Sequence, residues 1–200
     1  MNKIPILLIF SRVVFGLVIT ALSIYQPPYF STINISLIFL GLLFDIFDGI
    51  IARRLNISTP TLRRLDSGVD QFFWLTIIAS CYLIYPEFFK NNIAKISILL
   101  SIEACCYLLS YLKFKKEVAT HAIASKFWTL TLFGTLIQIM ATGNSIILFN
   151  ICFFMGIATR LEIMGMLLII KQWTNDIPTI YHAILIRKGR NIKRNKLFNG

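Results

Sequence analysis

Four aspartates within the first 70 residues have the type and spacing that indicate chemistry. Asp45 and Asp48 are three positions apart and Asp66 and Asp70 are four apart, so each pair shares one helix face. Two carboxylates about 4 Å apart repel each other by roughly 4 kcal/mol at an effective dielectric constant near 20. Divalent cations remove this repulsion, and all-oxygen ligands select Mg²⁺ or Mn²⁺. Four carboxylates suit two such ions, an arrangement used for attack on phosphorus.

Small and basic residues surround the aspartates. Gly49 follows the first pair directly, Arg53 and Arg54 come one turn later, and Arg63 and Arg64 precede the second pair. A small residue lets a phosphate or nucleotide approach the backbone closely, and arginine guanidinium groups match phosphate oxygens. The residues alone therefore indicate a metal-assisted reaction of the phosphoryl type.

Hydrophobic helices must position these side chains. Hydrophobic residues make up 56% of the 200-residue chain and charged residues only 14%, whereas a soluble domain averages about 25% charged residues. Because a helix needs about 20 mostly apolar residues to cross a bilayer, we predict spans over six stretches: 4–25, 33–52, 69–85, 93–112, 127–142 and 146–170. The predicted fold is all-α, a polytopic membrane protein whose six transmembrane helices form a bundle with a polar cavity facing the cytoplasm.

The acidic pairs belong to the second and third spans or border them. A carboxylate deep in a membrane helix costs about 2.5–3.5 kcal/mol on insertion scales. Solvation at a helix end explains Asp45 and Asp48 poorly, because they lie near the C-terminal end of the second span, where the helix dipole disfavours anions. A turn between the two helices, in the region of Pro60, would let all four carboxylates converge.

The basic residues indicate the orientation in the membrane. The formal net charge is +11, with 20 lysines and arginines, and the connections on one side hold only Lys90 and Lys95 of these. Apart from Arg160 within the sixth span, the others lie at the start of the chain (Lys3 and Arg12), in the opposite connections or after the last span. This asymmetry predicts that both termini and the aspartates face the cytoplasm. Topology and anionic lipid headgroups thus explain the charge without a nucleic-acid partner. We assign 1–186 to one membrane domain and 187–200 to a basic cytoplasmic tail.

The aspartate segment resembles the signature of the CDP-alcohol phosphatidyltransferases. That signature reads D-x-x-D-G-x-x-A-R-x8-G-x3-D-x3-D, and the four aspartates match it in type and spacing, as do Gly49, Ala52 and Arg53. The second glycine of the signature falls on Leu62. The opening segment resembles the family's P-N-x-x-T-x-x-R at Pro5 and Arg12, with apolar residues at its Asn and Thr positions. The family's six-helix architecture would cover nearly the whole chain.

The resemblance implies an integral membrane enzyme of phospholipid biosynthesis. It would transfer the phosphatidyl group of CDP-diacylglycerol to an alcohol and release CMP, with two Mg²⁺ or Mn²⁺ ions as cofactors. Asp45 and Asp66 would bridge both ions, Asp48 would complete the first site and Asp70 the second. Asp70 would also act as the general base that accepts the proton of the attacking hydroxyl.

The resemblance also implies binding positions and an assembly state. Gly49 and Arg53 match positions that contact the CDP portion of the lipid, and Thr59 occupies a loop position suited to the same contact. A homodimer is compatible with the resemblance, because the family often forms dimers.

Charged residues in later spans are candidates for the acceptor site. Glu103 lies in the fourth predicted span, and Arg160 and Glu162 lie in the sixth. They fit either an ion pair that stabilises packing or a polar cavity that selects the alcohol. Glycerol 3-phosphate, phosphatidylglycerol, serine and inositol-type acceptors all remain open, and the basic cytoplasmic face favours an anionic alcohol.

Two other classes of function compete with the transferase. An inactive homologue that binds lipid or nucleotide is motivated by Leu62 and by the altered opening segment. Such a homologue is expected to lose an aspartate, and all four are present. A cation transporter would distribute carboxylates along a path through the membrane, whereas these gather at one end beside arginines. Catalysis is therefore the favoured hypothesis.

Overall fold

The computed structural model describes residues 4–54, 59–118, 120 and 122–190. Within these ranges the chain forms eight helices and no strands, which confirms the predicted all-α fold. In chain order the helices are α1 (Ile4–Tyr25), α2 (Phe30–Arg54), α3 (Pro60–Ile84), α4 (Pro86–Asn91), α5 (Ile93–Phe114), α6 (Ile123–Thr142), α7 (Ile146–Ile169) and α8 (Ile180–Arg187).

Six of these helices are long and apolar enough to cross a membrane, as predicted. The candidate spans are Pro5–Tyr25, Phe30–Ile51, Leu65–Ile84, Ile93–Phe114, Ile123–Thr142 and Ile146–Ile169. The largest difference from the sequence prediction lies in the third span, whose helix begins at Pro60 rather than at 69. The residues before 69 include several polar ones, so an apolar run does not indicate the start of this helix. Helix α6, which forms the fifth span, likewise begins at Ile123, four residues earlier than the predicted 127.

Two short helices complete the structure. Helix α4 follows α3 directly and was not predicted; it begins with Pro86, and its Glu87 accepts a hydrogen bond from Lys90 at 2.8 Å. Helix α8 starts two residues after Pro178.

The chain divides into two compact units. The first consists of Met1–Lys90 and Leu136–Ser145, and the second of Asn91–Thr135 and Ile146–Gly200. In the first unit α1 packs against both α2 and α3. Its buried side chains include Ile9, Ile38, Phe73 and Met140. All four aspartates lie in this unit.

Two glycines allow the close packing of the first unit. A Cβ atom added to Gly16 of α1 would lie 2.6 Å from Thr76 Oγ1 of α3, and one added to Gly41 of α2 would lie 2.3 Å from Phe73 Cζ of α3. Small residues at helix contacts let membrane helices approach closely. Both glycines lie one turn from residues of the site described below, so this packing holds α1, α2 and α3 together beside it.

The second unit contains α5 packed on α7 and α7 packed on α8. A buried cluster of Ala122, Met166, Ile170, Ile177 and Ala183 forms part of its core. Lys113 at the end of α5 donates hydrogen bonds to three backbone carbonyls at the end of α7, each at 2.8–2.9 Å. A cation there compensates the negative end of the α7 dipole and satisfies carbonyls that have no partner within the helix.

Candidate active site

The four aspartates converge on a single buried arginine. Asp45 and Asp48 project from α2 and Asp66 and Asp70 from α3, while Arg12 projects from α1. The Arg12 side chain has 0% exposure. The convergence predicted from the helical spacing is confirmed, because all four carboxylates form ion pairs with this one guanidinium group.

Each terminal nitrogen of Arg12 joins α2 to α3. Nη1 donates to Asp45 Oδ1 at 2.8 Å and to Asp70 Oδ1. Nη2 donates to Asp48 Oδ2 at 2.7 Å and to Asp66 Oδ1 at 2.5 Å. Each nitrogen therefore contacts one aspartate of α2 and one of α3. The first aspartate of α2 is paired with the second of α3, and the reverse, as two helices running in opposite directions require. Charge-assisted bonds of this kind are stronger than neutral ones.

Burial separates the four carboxylates. The Asp48 side chain is only 3% exposed, whereas that of Asp70 is 31% exposed. Asp45 and Asp66 have exposures similar to that of Asp70. Asp48 is thus the buried member of the cluster, and the other three are partly exposed.

The carboxylate oxygens have the chemistry and spacing of a divalent metal site. One oxygen each from Asp45, Asp48 and Asp66 lies within 4.8 Å of the other two. Asp70 is not one of these three residues, but it pairs with the same guanidinium group. A donor set made only of carboxylate oxygens fits hard cations such as Mg²⁺ and Mn²⁺, so these residues fit the metal dependence of phosphoryl-transfer enzymes.

Comparison with known proteins identifies the family. The model of the family described as CDP-alcohol phosphatidyltransferase matches residues 2–174, which include α1 to α7 and all four aspartates. The chain belongs to the CDP-alcohol phosphatidyltransferase family. No match was found among curated proteins or among solved structures. Membership of this family supports transfer of a phosphatidyl group from a CDP-alcohol to an alcohol acceptor in a membrane. It also supports dependence on a divalent metal ion.

The three residues predicted to bind the CDP-lipid lie towards the C-terminal end of α2 and at the N-terminal end of α3. Gly49 follows Asp48 in α2, and Arg53 lies in the last turn of that helix. The side chain of Arg53 falls outside the described part of the structure, as do residues 55–58 and the tail beyond 190. Thr59 is the N-cap of α3, where its hydroxyl oxygen accepts a hydrogen bond from the backbone N–H of Leu62 at 3.2 Å.

Two of the three acceptor candidates come together in the second unit. Arg160 Nε donates to Glu103 Oε2 at 2.5 Å, and the guanidinium carbon lies 3.7 Å from the ring centroid of Trp128. Arg160 is buried, and its Nη1 has no hydrogen-bond partner among the described residues. The ion pair considered from the sequence is present, and one buried donor is left over.

Glu162 lies apart from that pair. Its Oε1 accepts a hydrogen bond from the backbone N–H of Ile180, in the first turn of α8, at 3.2 Å. A carboxylate is favourable at a helix N-terminus, because it meets free N–H groups and the positive end of the dipole. The contact gives Glu162 a role in holding α8 against α7.

Arg12 is the site residue that sequence reasoning did not assign. In the sequence, Arg12 was interpreted as a basic residue that sets the membrane orientation and as a match to the opening family motif. Its side chain instead lies buried at the centre of the carboxylate cluster. The available signal was its isolation: Arg12 is the only charged residue in the first span. Charged residues inside spans usually pair with one another, and four uncompensated aspartates on the next two helices were the available partners.

Proposed function

We propose that this protein transfers the phosphatidyl group of CDP-diacylglycerol to an alcohol and releases CMP, as a step of phospholipid biosynthesis. The observation that supports it most strongly is the convergence of the four signature aspartates from α2 and α3 on one point. A purely structural cluster would not need four carboxylates around one cation, because such a group remains strongly anionic and costly within a membrane protein.

The aspartates would hold two divalent ions, Mg²⁺ or Mn²⁺. Asp45 and Asp66 would bridge both ions, Asp48 would complete the first site and Asp70 the second. When bound, the ions would polarise the diphosphate and stabilise the negative charge on the departing CMP. The near-complete burial of Asp48 suits a ligand that is fixed by its surroundings.

Asp70 would act on the acceptor alcohol. Its carboxylate would take the proton of the hydroxyl while the alcohol oxygen forms a bond to the phosphorus of the phosphatidyl group. The bond between that phosphorus and the bridging oxygen of the diphosphate would break, and the electron pair would leave with CMP. A base must reach the substrate, and the 31% exposure of the Asp70 side chain permits this.

Gly49, Arg53 and Thr59 would bind the CDP portion of the donor. The absence of a side chain at Gly49 would let a phosphate approach the α2 backbone, and Arg53 would supply a cation for it. Thr59 already accepts one hydrogen bond from α3. A hydroxyl also has a donor hydrogen and a second lone pair, so the capping role leaves Thr59 able to donate to the nucleotide.

Arg160 and Glu103 are our candidates for acceptor recognition, and Glu162 is a third residue of the same region. The unpartnered Nη1 of Arg160 suits an anionic group on the alcohol, such as the phosphate of glycerol 3-phosphate. By the positive-inside rule, the basic connections favour a cytoplasmic location for this chemistry and for both termini.

The test is CMP release by the purified protein in detergent or vesicles. CDP-diacylglycerol is supplied with Mg²⁺ or Mn²⁺ and, in separate reactions, glycerol 3-phosphate, phosphatidylglycerol, serine and inositol. We expect release with one alcohol and its loss in EDTA. The exposed pair of Glu87 and Lys90 offers a control, because Glu87→Gln removes a carboxylate that is 73% exposed and should leave turnover unchanged.

Failure to release CMP with every acceptor would favour the inactive homologue. Binding of CDP-diacylglycerol would then be measured directly. Loss of binding would indicate that Leu62, in the first turn of α3, obstructs the nucleotide. Retained binding with no reaction after a wider acceptor panel would contradict the transferase and leave a lipid-binding protein.

A further inference from the structure

Arg12 carries a single positive charge at a point surrounded by four carboxylates. It is fully buried, and both of its terminal nitrogens are used in bonds to the aspartates. One guanidinium offsets one of the four negative charges and leaves three uncompensated. Two divalent ions would carry four positive charges and would neutralise the cluster without Arg12.

The position of Arg12 conflicts with full occupation by metal. Its guanidinium contacts every carboxylate that would serve as a ligand. Mg²⁺ requires oxygen ligands at about 2.0–2.1 Å in nearly octahedral geometry. A bound Mg²⁺ would lie among the same carboxylates as the Arg12 guanidinium, and these two positive groups would repel each other at short range.

We infer that Arg12 is a positioning residue that acts as a resident counter-ion, which holds the four carboxylates together without metal and withdraws when divalent ions bind. The inference rests on the metal site of the proposed function. Arg12 Nε is buried with no hydrogen-bond partner in the described part of the chain. The described contacts that hold the guanidinium are therefore those at its tip, and they are the ones that metal would replace.

A competing counter-ion has a measurable consequence for metal affinity. Removing Arg12 leaves four mutually repelling carboxylates in the metal-free protein, so that state rises in free energy relative to the metal-bound one. Coupling between two sites typically changes affinity by about 5–150-fold. We expect Arg12→Met to bind Mn²⁺ at least about 10-fold more tightly than the natural sequence, and to be less stable in EDTA. Arg12→Lys keeps the charge but cannot bridge four acids, so its affinity should lie between the two.

The experiment is a Mn²⁺ titration by calorimetry, with thermal unfolding in EDTA and in Mn²⁺, on the full chain in detergent. Arg160→Met is the matched control, because it removes another buried arginine that pairs with a carboxylate in the second unit. Its Mn²⁺ affinity should equal that of the natural sequence. Tighter binding in Arg12→Met alone supports the inference. Equal or weaker binding in a folded Arg12→Met protein overturns it, because a purely structural arginine would help to build the site.

A second measurement applies if Arg12→Met does not fold. The side-chain nitrogen signals of Arg12 are followed by NMR in the natural sequence and identified by their absence in Arg12→Lys. Withdrawal predicts that Mg²⁺ shifts them or frees their rotation, whereas unmoved signals at saturating Mg²⁺ overturn the inference. A protein that binds no Mn²⁺ overturns the metal site and this inference together. Normal Mn²⁺ binding and an Arg12 effect without CMP release would contradict only the transferase.

Discussion

The two units each contain a buried arginine paired with acid, but the balance of charge differs. In the second unit Arg160 meets one carboxylate, Glu103, and its planar group lies against the face of Trp128. In the first unit Arg12 meets four carboxylates. A one-to-one ion pair has no net charge, whereas four carboxylates around one arginine keep a net negative charge that attracts cations. The comparison teaches that the ratio of charges, more than burial, distinguishes a cluster that attracts cations from a charge-balanced ion pair.

The largest effect should come from Asp70, which tests whether the excess acids of the first unit do chemistry. Asp70→Asn removes the proton acceptor and one metal ligand but keeps the side-chain size. Loss of a general base typically lowers turnover by about 100–10,000-fold, and we expect a fall in this range, measured as CMP release. Near-normal turnover at equal protein level would contradict the base role, and it would reduce the difference between the two arginine sites to one of packing.

The next effect concerns the packing that brings the acids together. Gly41→Leu forces a side chain into Phe73, which is 1% exposed. Overpacking a buried contact costs about 1–3 kcal/mol, and we expect a loss near 3 kcal/mol, seen as a lower unfolding temperature, together with weaker Mn²⁺ binding. The control is Gly134→Ala in the second unit, where the new Cβ would meet Leu148 at an ordinary 3.5 Å. An unchanged unfolding temperature in Gly41→Leu would show that α2 and α3 do not need this contact.

A smaller effect should follow when the one-to-one pair is broken. Glu103→Gln leaves Arg160 buried without its counter-ion. Removing one partner of a fully buried pair costs about 3–5 kcal/mol, and the 37% exposure of Glu103 reduces our expectation to about 2 kcal/mol. The double variant Glu103→Leu with Arg160→Met should recover most of that stability in the same unfolding measurement. A double variant no more stable than the single one would contradict the view that the loss comes from leaving the Arg160 charge without its counter-ion.

The smallest effect concerns the start of α3, which orients Asp66 and Asp70. Thr59→Ala removes the side chain that accepts from Leu62 N–H. Loss of an N-cap typically costs about 1 kcal/mol, so we expect a lower unfolding temperature by a few degrees. Thr59→Ser keeps the hydroxyl and should behave as the natural sequence does. If Thr59 also binds the nucleotide, Thr59→Ala will raise the KM for CDP-diacylglycerol, and an unchanged KM would restrict the residue to capping.

The sequence predicted the helices better than their starts. Apolar runs identified all six long helices, because a membrane span is defined by hydrophobicity over about 20 residues. The first turns of α3 escaped detection, because Pro60 and the arginines that follow it resemble a loop while they form a capped helix. Helix α4 escaped because six residues are too few for a periodic pattern.

The sequence predicted the aspartates of the candidate site but not the arginine at its centre. The aspartates were predicted to converge, since their three- and four-residue spacings fix a helix face. Arg12 was not assigned to them, because no local pattern shows which helix packs beside α2 and α3. The separation of Glu162 from Arg160 has the same origin, because residues two positions apart on one helix differ by about 200° in direction and reach different neighbours.

The location of Arg12 in α1 has a consequence for biosynthesis. The chain enters the membrane from its N-terminus, so Arg12 is inserted before any of the four aspartates of α2 and α3. Each acidic helix that follows then meets a cation already in place. The first three helices can therefore assemble their charged centre while the remainder of the chain is still being translated.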